Sequence, residues 1–234
     1  MITCGQHLTA TSMRTFKDIS ALEEGITQSI AEHIRKSIEM NGSAHILLSG
    51  GTTPLLVYAR LAKEEIEWDK VWIGLVDERY VPLDHPKNNE RALREAFGEV
   101  VCNQAHFIGM VHDDHDAEHN LSVVSTEYQR FMERTDFVLL GMGKDGHFAS
   151  LFPNDSASEL DLRSESVKIH CTTAPDFPTE RITCSKGMLK QAKEVILMIT
   201  GTEKETILND NKETGLPVGY LQREFGQLNV FYAP

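Results

Sequence analysis

His147 and Asp145 stand two residues apart in Gly141-Met142-Gly143-Lys144-Asp145-Gly146-His147, the stretch of this 234-residue chain best suited to proton transfer. Imidazole is the side chain whose unperturbed pKa lies closest to neutrality, so His147 is the candidate general base and acid. A carboxylate beside it would orient the ring and support the imidazolium. The glycines around the pair spell a nominal GxGxxG. A dinucleotide fingerprint should open a long helix, however, and here Phe148-Ala149-Ser150-Leu151-Phe152 runs straight into Pro153. A nicotinamide-binding turn is therefore set aside. A Ser or Cys nucleophile has no better support, since there is no GxSxG elbow and no cysteine in an activating context.

Anion-holding groups gather in other loops. Ser49-Gly50-Gly51-Thr52-Thr53-Pro54 follows an apolar run and opens a helix. Glycines let a backbone approach a ligand closely, and the free N–H groups of a first helical turn cradle phosphate. The loop lacks the spacing and the lysine of a P-loop. Asp77-Glu78-Arg79-Tyr80-Val81-Pro82 places three charged residues at the end of a buried strand, in what reads as a second loop; they either face a polar cleft or pair with one another. Asn88, Asn89 and Arg91 extend that lining or cap the next helix. Arg181 stands at the mouth of a strand begun by Pro178, and Lys204 lies in the loop-to-helix turn Gly201-Thr202-Glu203-Lys204. A formal net charge of −12 excludes nucleic acid as a partner and obliges any phosphorylated ligand to rely on such local cations.

These residues need a scaffold, and the pattern supplies one. Ile19, Leu22, Ile26, Ile30 and Ile34 recur at helical spacing between Asp18 and Met40, and Asn41-Gly42 ends the helix. Apolar runs at 44–48, 71–76 and 136–140 read as buried strands, with further strands at 167–171, 194–200 and 228–232. Helices are predicted up to Leu61, over about 89–97 and over about 116–134. Short apolar strands alternating with amphipathic helices predict an α/β fold: a three-layer α/β/α sandwich around a mostly parallel, Rossmann-like sheet, with residues 1–234 forming a single domain. Ligands of such sheets bind beyond the carboxyl ends of the strands, where the unusual loops fall.

The remaining features are plain. No apolar run approaches the ~18 residues that span a bilayer, and Met1 to Ser20 has no secretory pattern, so a cytoplasmic setting away from membranes is expected. Cys4, Cys102, Cys171 and Cys184 are scattered, without a CxxC pair. His106, His112, His115 and His119 lie among Asp113, Asp114 and Asp116, but the segment reads as a solvated loop entering a polar helix, so no metal is expected. Nothing in the pattern signals an oligomeric state.

The segments quoted above, with the Asn89-Glu90-Arg91 run, Arg181-Ile182-Thr183 and the string from Gly141 to Pro153, resemble the 6-phosphogluconolactonases across nearly the whole chain. The resemblance implies a cofactor-free hydrolase that opens 6-phospho-D-glucono-1,5-lactone to 6-phospho-D-gluconate in the pentose phosphate pathway. By position it implies His147 as the principal acid/base residue and Gly50, Gly51, Thr52, Arg181 and Lys204 as phosphate contacts. Asp77, Arg79 and Asp145 would lie near the ring or organise the site. The oxyanion would fall to backbone N–H groups or to Arg79. Phe148 stands where the family usually has Thr and Asn88 where Ser is common, two departures expected to bear on substrate fit. The related glucosamine-6-phosphate deaminases place a glutamate five residues after the histidine; here that position is Phe152, which moves no proton. A non-catalytic sugar-phosphate sensor is the alternative from another class, separated by a turnover assay.

Overall fold

Residues 12–210 and 215–234 are described by a computed structural model. Cys4 and the first eleven residues of the stretch read for a leader lie outside the described residues. In chain order the elements are Ser12–Thr15 (β1), Ile19–Asn41 (α1), Ala44–Leu48 (β2), Leu55–Leu61 (α2), Val71–Leu75 (β3), Asp77–Arg79 (β4), Asn89–Gln104 (α3) and His106–Ile108 (β5). There follow Ala117–Glu127 (α4), Gln129–Glu133 (α5), Phe137–Gly141 (β6), Ser156–Leu162 (α6), Ile169–Thr173 (β7) and Glu180–Cys184 (β8). Lys186–Lys190 (α7), Val195–Thr200 (β9), Thr202–Asp210 (α8), Pro217–Glu224 (α9) and Leu228–Ala233 (β10) complete the order.

Seven strands form one sheet, β1-β10-β9-β6-β2-β3-β5, in which every neighbouring pair is parallel. Consecutive residues of its central strands, such as Ile46, Leu47 and Leu48 or Val138, Leu139 and Leu140, are wholly buried. Both faces of the sheet are therefore covered by helices, as the unbroken apolar runs predict. Leu48 pairs with Leu75 on one side and Leu139 on the other, so the loops leaving β2, β3 and β6 emerge side by side. After β2 the chain moves outward through β3 and β5 and then returns to place β6 on the opposite flank of β2. That reversal opens a crevice at the carboxyl ends of β2 and β6.

α1 begins at Asp18, whose side chain accepts from the Ala21 N–H at 2.8 Å, and ends where Gly42 turns left-handed and donates to the Ile38 carbonyl. Leu22, Ile26, Ile30 and Ile34 are fully buried, contributing about 1.5–3 kcal/mol apiece before entropy. Ile19, expected on that stripe, is 47% exposed because it sits in the first turn, beyond the edge of the sheet-facing surface.

Three further expectations are corrected. The helix predicted over 89–97 continues to Gln104, with Gly98 at φ 77° breaking its regularity. The helix predicted over 116–134 is two helices meeting at Tyr128, whose buried hydroxyl receives the Leu75 N–H at 2.8 Å and so ties the junction to β3. Residues 77–79 are not loop: they form β4 of a second, antiparallel sheet, β4-β8-β7, absent from the sequence reading.

Candidate active site

The loop after β6 is folded around its own histidine. His147 Nδ1 lies 2.5 Å from Asp145 Oδ1, which also accepts the His147 backbone N–H at 3.2 Å. Gly143 donates to the His147 carbonyl, closing the turn. A Cβ on Gly143 would meet Nδ1 at 2.2 Å and the Asp145 oxygen at 2.6 Å, so glycine is required there to let the pair form. The GxGxxG resemblance thus has a local cause unrelated to dinucleotides. Burial raises the Asp145 carboxyl, but the hydrogen bonds and charge of His147 outweigh it and leave the group below its ordinary value. The imidazole rests on Phe152, ring centroids 4.6 Å apart, in the position where a deaminase-type glutamate would stand.

Across the crevice, the N–H groups of Gly50, Gly51 and Thr52 find no protein acceptor among the described residues, while Tyr58 fastens the start of the loop through its hydroxyl to the Ser49 carbonyl at 2.6 Å. Gly50 packs against Asn89: a Cβ would fall 2.0 Å from the Asn89 Cγ. Asn89 Nδ2 in turn donates to the Asp77 carbonyl at 3.1 Å.

β4 explains its three charges by alternation, since successive side chains of a strand point to opposite faces. Asp77 and Arg79 face the crevice; Glu78 between them is wholly buried. The Asp77 carboxylate accepts from Ser150 Oγ at 2.6 Å. Ser150 is itself fixed by Thr172, whose hydroxyl donates to the Ser150 carbonyl. The expected alternative of a salt bridge among residues 77–79 is not what forms: Glu78 accepts backbone N–H groups from Arg79, Asn89 and Glu90 at 2.7–2.8 Å. Burial raises its carboxyl above the ordinary value, while the three N–H donors aimed at its oxygens favour the ionised form.

Arg79 is the register partner of Arg181 on β8. Like charges directly opposite on an antiparallel pair are destabilising by themselves. Their guanidinium hydrogen bonds run to the carbonyls of Lys87 and Glu180, and among the described residues neither joins an ion pair. Burial, then the charge of Arg79, pushes the Arg181 guanidinium below its ordinary value. Lys204 is likewise lowered by burial and then by Lys144, and its neighbour Lys144 takes Glu203 at 2.7 Å. In a chain of net charge −12, three cations that join no carboxylate among the described residues surround one crevice and form a local anion trap.

The crevice has two lobes. One, of about 190 Å³, is lined by Gly50, Gly51, Thr53, Asn89, Lys204 and the shared residues Asp77, Arg79, His147 and Ala149. The other, of about 420 Å³, adds Asp145, Ser150, Phe152 and Arg181 to the same shared residues. His147, Asp77 and Arg79 therefore occupy the waist. The residues given a catalytic or phosphate-binding role from the sequence all line the crevice except Thr52, whose side chain is exposed and lines neither lobe; Thr53 stands in its place, and Arg91, read as polar lining or a cap, turns instead to Glu95 and the Asp84 carbonyl. Arg181 and Lys204 approach from different lobes rather than side by side.

The two departures from the family pattern do not touch the crevice. Phe148 is wholly buried, and Asn88 caps α3 by accepting the Arg91 N–H at 2.8 Å, as a serine there would. Asn89, read as polar lining or a helix cap, does line the crevice, whereas Ser150 and Ala149 have no signal in the sequence. Ala149 holds a left-handed φ of 47°, a rare conformation for a residue with a Cβ that no sequence pattern announces. The histidines at 112, 115 and 119 pair singly with Glu127, Asp114 and Asp113. Among the described residues no group of three or more His, Cys, Asp or Glu side chains is disposed to hold a metal, and no helix is long and apolar enough to cross a membrane.

Comparison with known proteins places this arrangement. The model of the family described as glucosamine-6-phosphate isomerases/6-phosphogluconolactonase matches residues 17–229. A 6-phosphogluconolactonase of Rhizobium meliloti (strain 1021) is 29% identical over 229 residues, covering 95% of this chain and 99% of the relative. One from Caulobacter vibrioides is 32% identical and covers 92% and 90%. The solved structure of a 6-phosphogluconolactonase from Shewanella baltica OS155 superposes with a TM-score of 0.89 at 28% identity, over 97% of this chain and 99% of that one.

Proposed function

The chain belongs to the glucosamine-6-phosphate isomerase/6-phosphogluconolactonase family, and within it we propose that it hydrolyses 6-phospho-D-glucono-1,5-lactone with His147 as general base and then general acid. The relatives just described bear the name of that activity. The observation that carries the choice within the family is the environment of His147: Asp145 holds one ring nitrogen at 2.5 Å, and Phe152, an apolar ring, lies tilted against it. An aldose–ketose isomerisation with ring opening needs further acid/base groups around the histidine. A lactone carbonyl is already electrophilic and needs only a deprotonated water.

In the proposed reaction the phosphate rests on the N–H groups of Gly50, Gly51 and Thr52 with Lys204, and Arg181 reaches it from the adjoining lobe. Binding there places the lactone carbon at the waist. With the Nδ1 proton directed at Asp145, the lone pair of His147 is on Nε2 and takes a proton from the attacking water. Arg79, which shares the waist, stabilises the tetrahedral oxyanion. The imidazolium then protonates the ring oxygen as the C–O bond breaks, giving the carboxylic acid, which ionises. Asp77, braced by Ser150, accepts a sugar hydroxyl, and its charge partly offsets that of the two arginines.

The reaction requires no cofactor, and the substrate is a small phosphorylated sugar lactone met in the cytoplasm. Incubation with the lactone on one hand, and with glucosamine 6-phosphate on the other, tests the reading. Accelerated formation of 6-phosphogluconate without release of ammonia supports it. Ammonia release would transfer the chain to the isomerase branch, and binding of 6-phosphogluconate without turnover of either substrate would make it a sensor.

A further inference from the structure

Glu78 lines neither lobe of the crevice, yet its carboxylate is the point where three parts of the site meet. A helix leaves its first N–H groups without intrahelical partners. At the start of α3 those of Asn89 and Glu90 are both taken by Glu78, at 2.8 Å each, and that of Arg91 by the Asn88 side chain. The same Glu78 accepts the N–H of Arg79 at 2.7 Å. β4 and the first turn of α3 are thus joined through one buried carboxyl group, although nine residues of chain separate Arg79 from Asn89. Asn89 then carries the connection onward. Its side chain lies against the backbone of Gly50, where a Cβ has no room, and holds the Asp77 carbonyl at 3.1 Å.

We propose that Glu78 is a positioning residue: by fixing the first turn of α3 to β4 it sets, through Asn89, the separation between the Gly50 loop and the Asp77–Arg79 strand. This rests on the functional reading above, in which the Gly50 loop holds one end of the substrate and Arg79 faces the reacting carbon. Reaction rates are steep in that separation, since a misplacement of about 1 Å costs on the order of 10²-fold. Phosphate is held chiefly by the loop N–H groups and Lys204, with Arg181 contributing from the strand paired to β4, so KM should rise less than kcat falls.

The test compares Glu78→Gln, Glu78→Leu and Asn89→Ala with the wild type. The Gln side chain keeps the size of Glu but sets an NH2 group against at least one of the three N–H donors. Its expected effect is a kcat lowered by about 10- to 100-fold, with KM changed far less and a retained cooperative melt. Glu78→Leu leaves all three donors without an acceptor and should be worse in kcat or fail to fold, so the Gln variant decides. Because Glu78 acts through Asn89, Glu78→Gln combined with Asn89→Ala should cost less than the product of the two separate losses. A second readout needs no substrate: amide hydrogen exchange should quicken in Glu78→Gln both at Ser49, whose N–H meets the Leu139 carbonyl at the start of the loop, and across residues 77–81. Wild-type kcat in Glu78→Gln, strictly multiplicative losses, or faster exchange confined to α3 would overturn the assignment. If the wild type leaves the lactone untouched, the functional reading fails, and the exchange pattern judges Glu78 independently.

Discussion

Replacing Asp145 by Asn isolates what the carboxylate contributes to His147. The side chain keeps its shape and its place in the turn, but the oxygen that accepts both the ring nitrogen at 2.5 Å and the backbone N–H at 3.2 Å loses its charge. A hydrogen bond to a charged group contributes about 1.5–3 kcal/mol, and a tenfold change in rate corresponds to about 1.36 kcal/mol. If that stabilisation is felt chiefly when His147 becomes imidazolium in the transition state, kcat falls by about 10- to 150-fold. The Asp145 side chain is 36% exposed, so solvent screening favours the lower half of that range. Should the amide turn its NH2 toward the ring, the proton would move to the other nitrogen and the loss would grow toward about 10⁴. The assay generates the lactone in situ from glucose 6-phosphate and follows its loss above the spontaneous rate, resolving kcat from KM. A variant within twofold of wild type in kcat, or one impaired only in KM, would refute the role given to Asp145.

Other consequences are equally accessible. Gly143→Ala drives a methyl group into the His147–Asp145 pair; kcat should drop at least tenfold while the urea midpoint moves little. Arg181→Ala and Lys204→Ala each remove a cation from the anion trap and should lower kcat/KM by about 10- to 150-fold, mainly through KM, and added salt should weaken substrate binding to the wild type more than to either variant; unchanged KM in both would remove them from phosphate binding. Lys186 is 2% exposed and lies between Glu165 and Glu224. Burial lowers its ammonium, but the two carboxylates prevail and hold it above its ordinary value. Its contribution is therefore complete at and below the usual lysine range and is lost as pH rises through the raised folded value. Lys186→Met should lose about 1–3 kcal/mol at pH 7, and denaturant midpoints of variant and wild type should converge above pH 10.5.

The parts of this molecule that were legible in its sequence are those governed by short-range rules. Wholly buried parallel strands read as unbroken apolar runs, so β2, β3, β6 and β9 were found nearly to the residue, and with them the loops that must lie at the crevice. Asp145 and His147 were legible because only Gly146 separates them in the chain. The small antiparallel sheet was not, because Asp77-Glu78-Arg79 has the composition of a loop, and its alternation becomes meaningful only when Arg181 and Thr183 are seen as its partners. Ser150 could not be found for the same reason: its hydroxyl meets Asp77 across 73 residues of chain. Asn89 was seen as polar lining or cap without its contact to Gly50, which no spacing rule connects. Phe148 was expected to bear on substrate fit from its place in the motif, whereas the turn at Ala149 directs it into the core.

In the proposed reaction His147 moves the protons of lactone hydrolysis. The most direct test of that role is the rate of lactone loss with wild-type protein and with His147→Ala at equal folded concentration. Turnover well above the spontaneous rate is expected for the wild type, with a loss of about 10²–10⁴-fold in kcat for the variant. Turnover that survives the substitution undiminished would contradict it.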